Sequence, residues 1–196
     1  MIEIREALRR LVSIRQAPDE IDITHLRAGM TWLNNKAWDD NVEYWNCIFY
    51  KENSIHLVHE TRGHTNGVNP QCDVHNDHYG GYKGSIHIHL ADKRGHAGFG
   101  FSFPDYYWTL KDGDHIALVL SGERVYALYR VRETRKPGDI SYEECYECDR
   151  MWGQVDKQLK AEKKFNEEMC SRLGYVLYEG KRESGVLKKW TPRRVN

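Results

Sequence analysis

The sequence predicts an α+β fold: an antiparallel β-meander or jelly-roll-like β-core, preceded by a helical N-terminal segment and followed by a long helix and a hairpin. Three observations carry this. Apolar residues alternate over short runs between residues 42 and 134, turn residues divide those runs, and apolar residues recur at helical spacing on either side. At 196 residues the chain fits one domain: a helical segment over 1–40, the β-core over 42–134, the long helix over 141–174, and a hairpin with a basic tail over 175–196.

Residues 1–16 read as an amphipathic helix, with Ile4, Leu8, Leu11 and Ile14 on one side and Arg5, Arg9 and Arg10 on the other; Pro18 ends it. A second, short helix follows, with Thr24 as its cap and Leu26, Met30 and Leu33 on one face. From Val42 the period changes. YWNCIFY and NSIHLVHE read as two strands joined at Lys51-Glu52-Asn53, and TRGHTNGVNPQCDVHNDHYGG reads as loop. GSIHIHL, GFGFSFP, YYWTL, HIALVL and RVYALYRV then continue the meander, separated by ADKRG, Pro104-Asp105, KDGD and SGE. SYEE, from Ser141, is a capping box that opens the long helix. Its stripe runs through Cys145, Cys148, Trp152, Val155 and Leu159 to Phe165, Met169 and Leu173, with Gly153 as a point of bending and Gly174 as the C-cap. YVLYEG and GVLKKW form the closing hairpin.

Charge excludes some functions. Lys and Arg number 29 and so do Asp and Glu, so nothing draws the whole chain toward nucleic acid or a membrane. No stretch approaches the roughly 18 to 20 apolar residues that cross a bilayer, and MIEIREALRRLVSIRQ carries Glu3 and Glu6 where a signal peptide would be apolar. Five irregularly spaced cysteines do not form a disulfide framework. The expectation is a soluble cytoplasmic protein.

Histidine is the distinctive residue. Nine of the ten histidines lie between His56 and His115, and HNDHYGGYKGSIHIHL (75–90) holds four of them with Asp77. On a strand, His87 and His89 share one face while Ile86, Ile88 and Leu90 take the other, so two imidazoles can reach one ion. His75 and Asp77 repeat that spacing. The expected metal ligands are therefore His75, Asp77, His87 and His89, around a divalent iron, zinc or manganese ion. His75, His78 and His96 are the candidate acid–base groups, and Asp92 lies nearby. Two histidines and a carboxylate leave positions open for oxygen and substrate, or for activation of water. The same residues also suit the solvent face of an antiparallel sheet.

Gly81, followed after five residues by His87-Ile88-His89, resembles the first cupin motif, and LKDGDHIALVLSGERVYALY resembles the second. That resemblance covers about forty-five residues and implies a jelly-roll with an incomplete metal site. Its carboxylate is represented by Asp92 alone, and its second-motif histidine falls near Val125 or Tyr126. His75-Asn76-Asp77, with Gly122-Glu123-Arg124 leading into a later strand, resembles the core of an iron- and 2-oxoglutarate-dependent dioxygenase. It implies Arg124 as the group that binds the co-substrate carboxylate, with His115 in place of the distal histidine. GHTNG and DVHNDHYGG are similar to metallo-β-lactamase pieces in reversed order, and imply nothing further.

Remaining features have plainer readings. Cys145 and Cys148 lie on the apolar stripe and read as core thiols rather than zinc ligands. WTLKDGDHIALVLSGERVYALYRVRE resembles hairpins of small β-barrels that read RNA, including PUA and ASCH modules. Tyr107 and Trp108 could stack on a base, and Trp190 lies in GKRESGVLKKWTPRRVN, whose cations suit phosphate. The expected function is a metal-dependent enzyme acting on a small molecule or nucleotide, by oxygenase-like or phosphoester-hydrolase chemistry. The alternative is a non-catalytic module that binds nucleotide or nucleic acid through its aromatic face and basic tail.

Overall fold

A computed structural model describes residues 1–64, 77–90, 100–136, 138–153 and 158–190. Its strands are β1 (Ile2–Glu3), β2 (Glu20–Asp22), β3 (Tyr44–Lys51), β4 (Ser54–Arg62), β5 (Gly81–His89), β6 (Ile116–Ser121), β7 (Arg124–Tyr129), β8 (Val176–Lys181) and β9 (Val186–Lys189). The helices are α1 (Ile4–Ala7), α2 (Arg27–Asp40), α3 (Phe103–Asp112), α4 (Tyr142–Gly153) and α5 (Gln158–Leu173). All nine strands form one sheet, in the order β1-β2-β9-β8-β7-β6-β5-β3-β4, curled into a half-barrel. This is a mixed α/β architecture, and among the described residues the strands form one sheet rather than the two facing sheets of a jelly-roll.

Both faces of the sheet are covered, which is why IALVLS of β6 is buried along its whole length. One face packs Ile86, Ile88, Leu118, Leu120 and Ala127 against Leu26, Met30 and Leu33 at and along α2. The other packs Ala117, Val119, Tyr126 and Leu128 against Tyr106 and Leu110 of α3, Cys145 and Cys148 of α4, and Phe165 and Met169 of α5. Trp45, Cys47 and Phe49 of β3 form a third cluster at the β3–β4 end. Cys47 is disulfide-bonded, whereas Cys145, Cys148 and Cys170 are free and buried. A cross-link in β3 departs from the all-thiol state expected in a reducing compartment.

The meander is interrupted where it matters most. β5 and β6 are parallel, and the connection between them contains α3. YYWTL, expected as a strand, is the body of that helix, and 100–102 before it carries no strand. Ser102 caps α3 in a capping box with Asp105, Pro104 occupies the first turn, and Gly113 ends the helix in the left-handed conformation. Local capping thus outweighs the β-propensity of the aromatic residues. Gly84 makes the parallel pairing possible: a Cβ there would lie 1.8 Å from the Ile116 carbonyl oxygen.

The helical expectations also change at both ends. The N-terminal helix lasts one turn, because Ile2 pairs with Ile21 in the sheet and the Val12 carbonyl accepts the Arg132 N–H at 2.9 Å. The second helix is longer than expected, with Asp22 Oδ1 accepting the Thr24 N–H at 2.8 Å just before it. The long helix is two helices, α4 and α5, packed against each other. Its apolar stripe folds back on itself and buries both halves against the same sheet face.

Candidate metal centre

The site starts from β5. Strand alternation sends Ile86 and Ile88 into the α2-side core and Ser85, His87 and His89 to the opposite face. His87 pairs with Trp45 of β3 on one side and with Val119 of β6 on the other. Its imidazole stacks on the Trp45 indole, with centroids 4.5 Å apart and planes 10° apart. Above it, α3 brings Asp105.

His87 Nε2 lies 3.2 Å from Asp105 Oδ1, and His89 Nε2 lies 3.3 Å from Asp105 Oδ2. The two Nε2 atoms are 3.0 Å apart. Side-chain exposures are 1% for His87, 17% for His89 and 10% for Asp105, so the site opens on the His89 side. Asp105 is held from behind: its Oδ2 accepts both the backbone N–H and the hydroxyl of Ser102 at 2.7 Å. Asn166 of α5 fixes the approach to that cap. Its Oδ1 accepts the Phe101 N–H at 2.9 Å and the Tyr106 hydroxyl at 2.8 Å, and its Nδ2 donates to the Phe101 carbonyl at 3.1 Å. Gly100, at φ +69°, admits this contact, since a Cβ there would meet Asn166 Oδ1 at 2.6 Å.

Two further carboxylates face the triad. Continuing the β3–β5 register beyond Trp45–His87 sets Glu43 opposite His89. Burial pushes the Glu43 carboxyl up to about 7; His89 draws it down and Asp105 adds to the rise. Glu162 of α5 also acts on His89 electrostatically. Burial disfavours charge on both imidazoles, but with different outcomes. His87 is lowered, because burial outweighs its attraction to Asp105. His89 is raised, because its hydrogen bond and attraction to Asp105 outweigh burial. Asp105 itself is held well below the usual carboxylate range: burial opposes this, but His87 and His89 prevail.

The donor set fits a divalent cation. Two imidazole nitrogens about 2.1 Å from one ion and at right angles are separated by about 3.0 Å, or about 3.4 Å at the tetrahedral angle. The separation of the two Nε2 atoms, 3.0 Å, lies in that range, and one donor atom from each of the three residues lies within 4.8 Å of the others. Among the described residues this is the group of His, Cys, Asp and Glu side chains that could hold a metal ion.

Of the other expected site residues, those that the structure describes lie away from this group. His75 and His96 lie outside the described residues, as do Asp92 and the side chain of Asp77. His78 is exposed near the start of β5, where its carbonyl accepts Lys51 Nζ at 3.3 Å, at the opposite end of the strand from His87. His115 also lies at that end, where its N–H donates to the Lys83 carbonyl, and burial lowers its imidazole to about 4. Arg124 pairs with Glu179 on β8. Tyr107 is half-buried against Tyr142, Trp108 has Lys111 Nζ 4.4 Å above its ring, and Trp190 donates from Nε1 to Glu167 at 3.4 Å. Among the described residues, the carboxylate that joins the histidines is Asp105. A legible signal for it existed in SFPD, a capping box with proline in the first turn.

Comparison of the chain with protein-family models, with curated proteins and with solved structures finds no match.

Proposed function

We propose that this protein is a metal-dependent enzyme whose divalent ion (iron, zinc or manganese) is held by His87 Nε2, His89 Nε2 and a carboxylate oxygen of Asp105. One observation carries the reading: three donors from β5 and α3 converge at ligand spacing in a site that is closed on the Trp45 side and open beside His89. A divalent ion there would supply Lewis acidity and make bound water more acidic. The protein supplies the rest. Asp105, already bonded to Ser102, holds a fixed orientation, and Trp45 keeps the His87 ring in plane.

Hydrolysis of a phosphoester is the chemistry that uses most of these groups. Glu43, set opposite His89 by the strand register, is a partly buried carboxylate suited to take a proton from attacking water and return it to the leaving oxygen. The donor composition favours a second reading, oxygen activation, since two histidines and one carboxylate leave a face open to oxygen and an oxoacid.

Elemental analysis of protein purified without a polyhistidine tag tests the proposal. We expect about one divalent ion per chain in the native protein, and its loss from His89→Ala and Asp105→Asn with unchanged circular dichroism. A native protein that neither contains an ion nor takes one up on dialysis against iron, zinc or manganese would abolish it.

A further inference from the structure

On the triad's own face, the sheet carries a cationic groove, and cross-strand register sets its position. His89 of β5 pairs with Ser121 of β6, Ser121 with Arg124 of β7, and Arg124 with Lys181 of β8. Directly paired residues project from one face, so His89, Arg124 and Lys181 stand in a single row. Neighbouring strands are about 4.8 Å apart, which sets Arg124 about 10 Å and Lys181 about 14 Å from His89 along that row. The adjacent row runs from His87 through Val119, Tyr126 and Glu179 to Lys188. Helix α5 runs alongside these rows, since Glu162 acts electrostatically on both His89 and Tyr126.

The groove has a volume of about 410 Å³ and is lined by Arg124, Lys181, Lys188 and Lys189, with Glu179 as its carboxylate and Trp190 as a half-buried wall. In a chain of zero formal net charge, that ratio of cations to acids is a local concentration. Arg124 pairs with Glu179, and Lys188 with Glu20 at 3.5 Å. The Lys188–Glu20 pair is solvent-facing and costs little to open when a stronger anion arrives, and the Arg124 side chain, half exposed, is reachable from the groove although Glu179 is largely buried. Cations tracking a groove beside an indole are the elements that hold phosphates and a base of a nucleic-acid strand.

We propose that this groove binds the phosphates of a single-stranded nucleic acid whose reacting group lies at the triad. The span from triad to Lys181 exceeds what one phosphate covers, and a strand with repeating phosphates reaches both ends. The assignment of a reacting end rests on the metal-enzyme reading; binding in the groove does not.

Fluorescence anisotropy with a labelled single-stranded oligothymidylate, in the presence of chelator, tests the groove. We expect binding that weakens steeply with salt. It should weaken at least tenfold in Arg124→Ala and in the Lys181→Glu/Lys188→Glu pair, and stay within twofold in His89→Ala. Absent binding, or binding that ignores the groove variants, overturns the proposal, and so does thymidine monophosphate binding as tightly as the strand. If the native protein holds no metal but still binds the strand through these residues, the metal reading alone fails. The link between them is read by ³¹P relaxation of the bound strand in manganese-loaded protein. Enhancement beyond that in His89→Ala supports a strand reaching the triad; equal relaxation overturns that part.

Discussion

The imidazole of His87 lies flat on the indole of Trp45, with centroids 4.5 Å apart and planes 10° apart. His87 Nδ1 is buried and has no hydrogen-bond partner among the described residues. Metal-binding histidines are ordinarily oriented by a hydrogen bond from the second ring nitrogen. Here, stacking orients the ring.

Removing that platform should therefore weaken metal binding before it unfolds the protein. We expect Trp45→Leu to bind zinc about tenfold more weakly, within the range seen when a ligand loses its orienting partner, and Trp45→Phe to retain most of the affinity. Competition against a chromophoric chelator measures both. Unchanged affinity in Trp45→Leu would show that the ring is oriented by other contacts.

The pH dependence of the empty site follows from His89, whose folded pKa is raised. Its imidazolium–Asp105 pair contributes stability that is fully present below the unfolded histidine value near 6.5 and is lost as pH rises through the folded value. Zinc requires the neutral imidazole and should act in the opposite direction. We expect the zinc-induced rise in Tm to grow with pH across the neutral range and to shrink in acid. A rise independent of pH would mean that zinc does not displace the His89 proton.

Asp114 provides a second titration away from the triad. Burial pushes its carboxyl up to about 7, against hydrogen bonds from the Tyr82 hydroxyl at 2.6 Å and the Ser85 hydroxyl at 2.7 Å. Because the folded value is raised, its contribution is fully present below the unfolded value near 4 and declines as pH rises through about 7. The change is at most about 4 kcal/mol at roughly 1.4 kcal/mol per pH unit. Asp114→Asn, which mimics the neutral form, should remove this component. The difference between native and variant urea stabilities from pH 4.5 to 7.5 measures it, and parallel profiles would refute it.

Asn166 should be the most sensitive polar position of the core. It is fully buried and joins α5 to Phe101 and Tyr106, just ahead of and within α3. Truncating it leaves several buried partners unpaired, at about 1 to 3 kcal/mol each. We expect Asn166→Ala to lose roughly 3 kcal/mol in urea denaturation and to weaken zinc binding as well, because the Asp105 cap loses its anchor. Loss of stability with unchanged zinc affinity would separate the cap from the site.

Much of the β-core was legible from local pattern. Glu52 and Asn53, both at positive φ, form the turn between β3 and β4 that Lys51-Glu52-Asn53 indicated. HIALVL and RVYALY pair through Gly122-Glu123, and the closing strands pair as a hairpin. Aromatic residues in YYWTL suggested a strand because β-propensity reflects burial on a sheet, and here Tyr106 is buried, with Tyr107 and Trp108 half-buried, on a capped helix instead. Likewise, the stripe over 141–174 does not reveal that it doubles back, because helical periodicity is the same in one helix or two.

By itself, the sequence determined that His87 and His89 share a face, since strand alternation is a local property of the backbone. It also determined which runs are apolar enough to be buried. Tertiary structure alone decided that Asp105, sixteen residues beyond His89, meets both imidazoles. It likewise decided that Arg124 and Lys181 stand in the row of His89. Ligand geometry depends on distance in space, and the parallel crossover through α3 sets that distance by packing that no local spacing encodes.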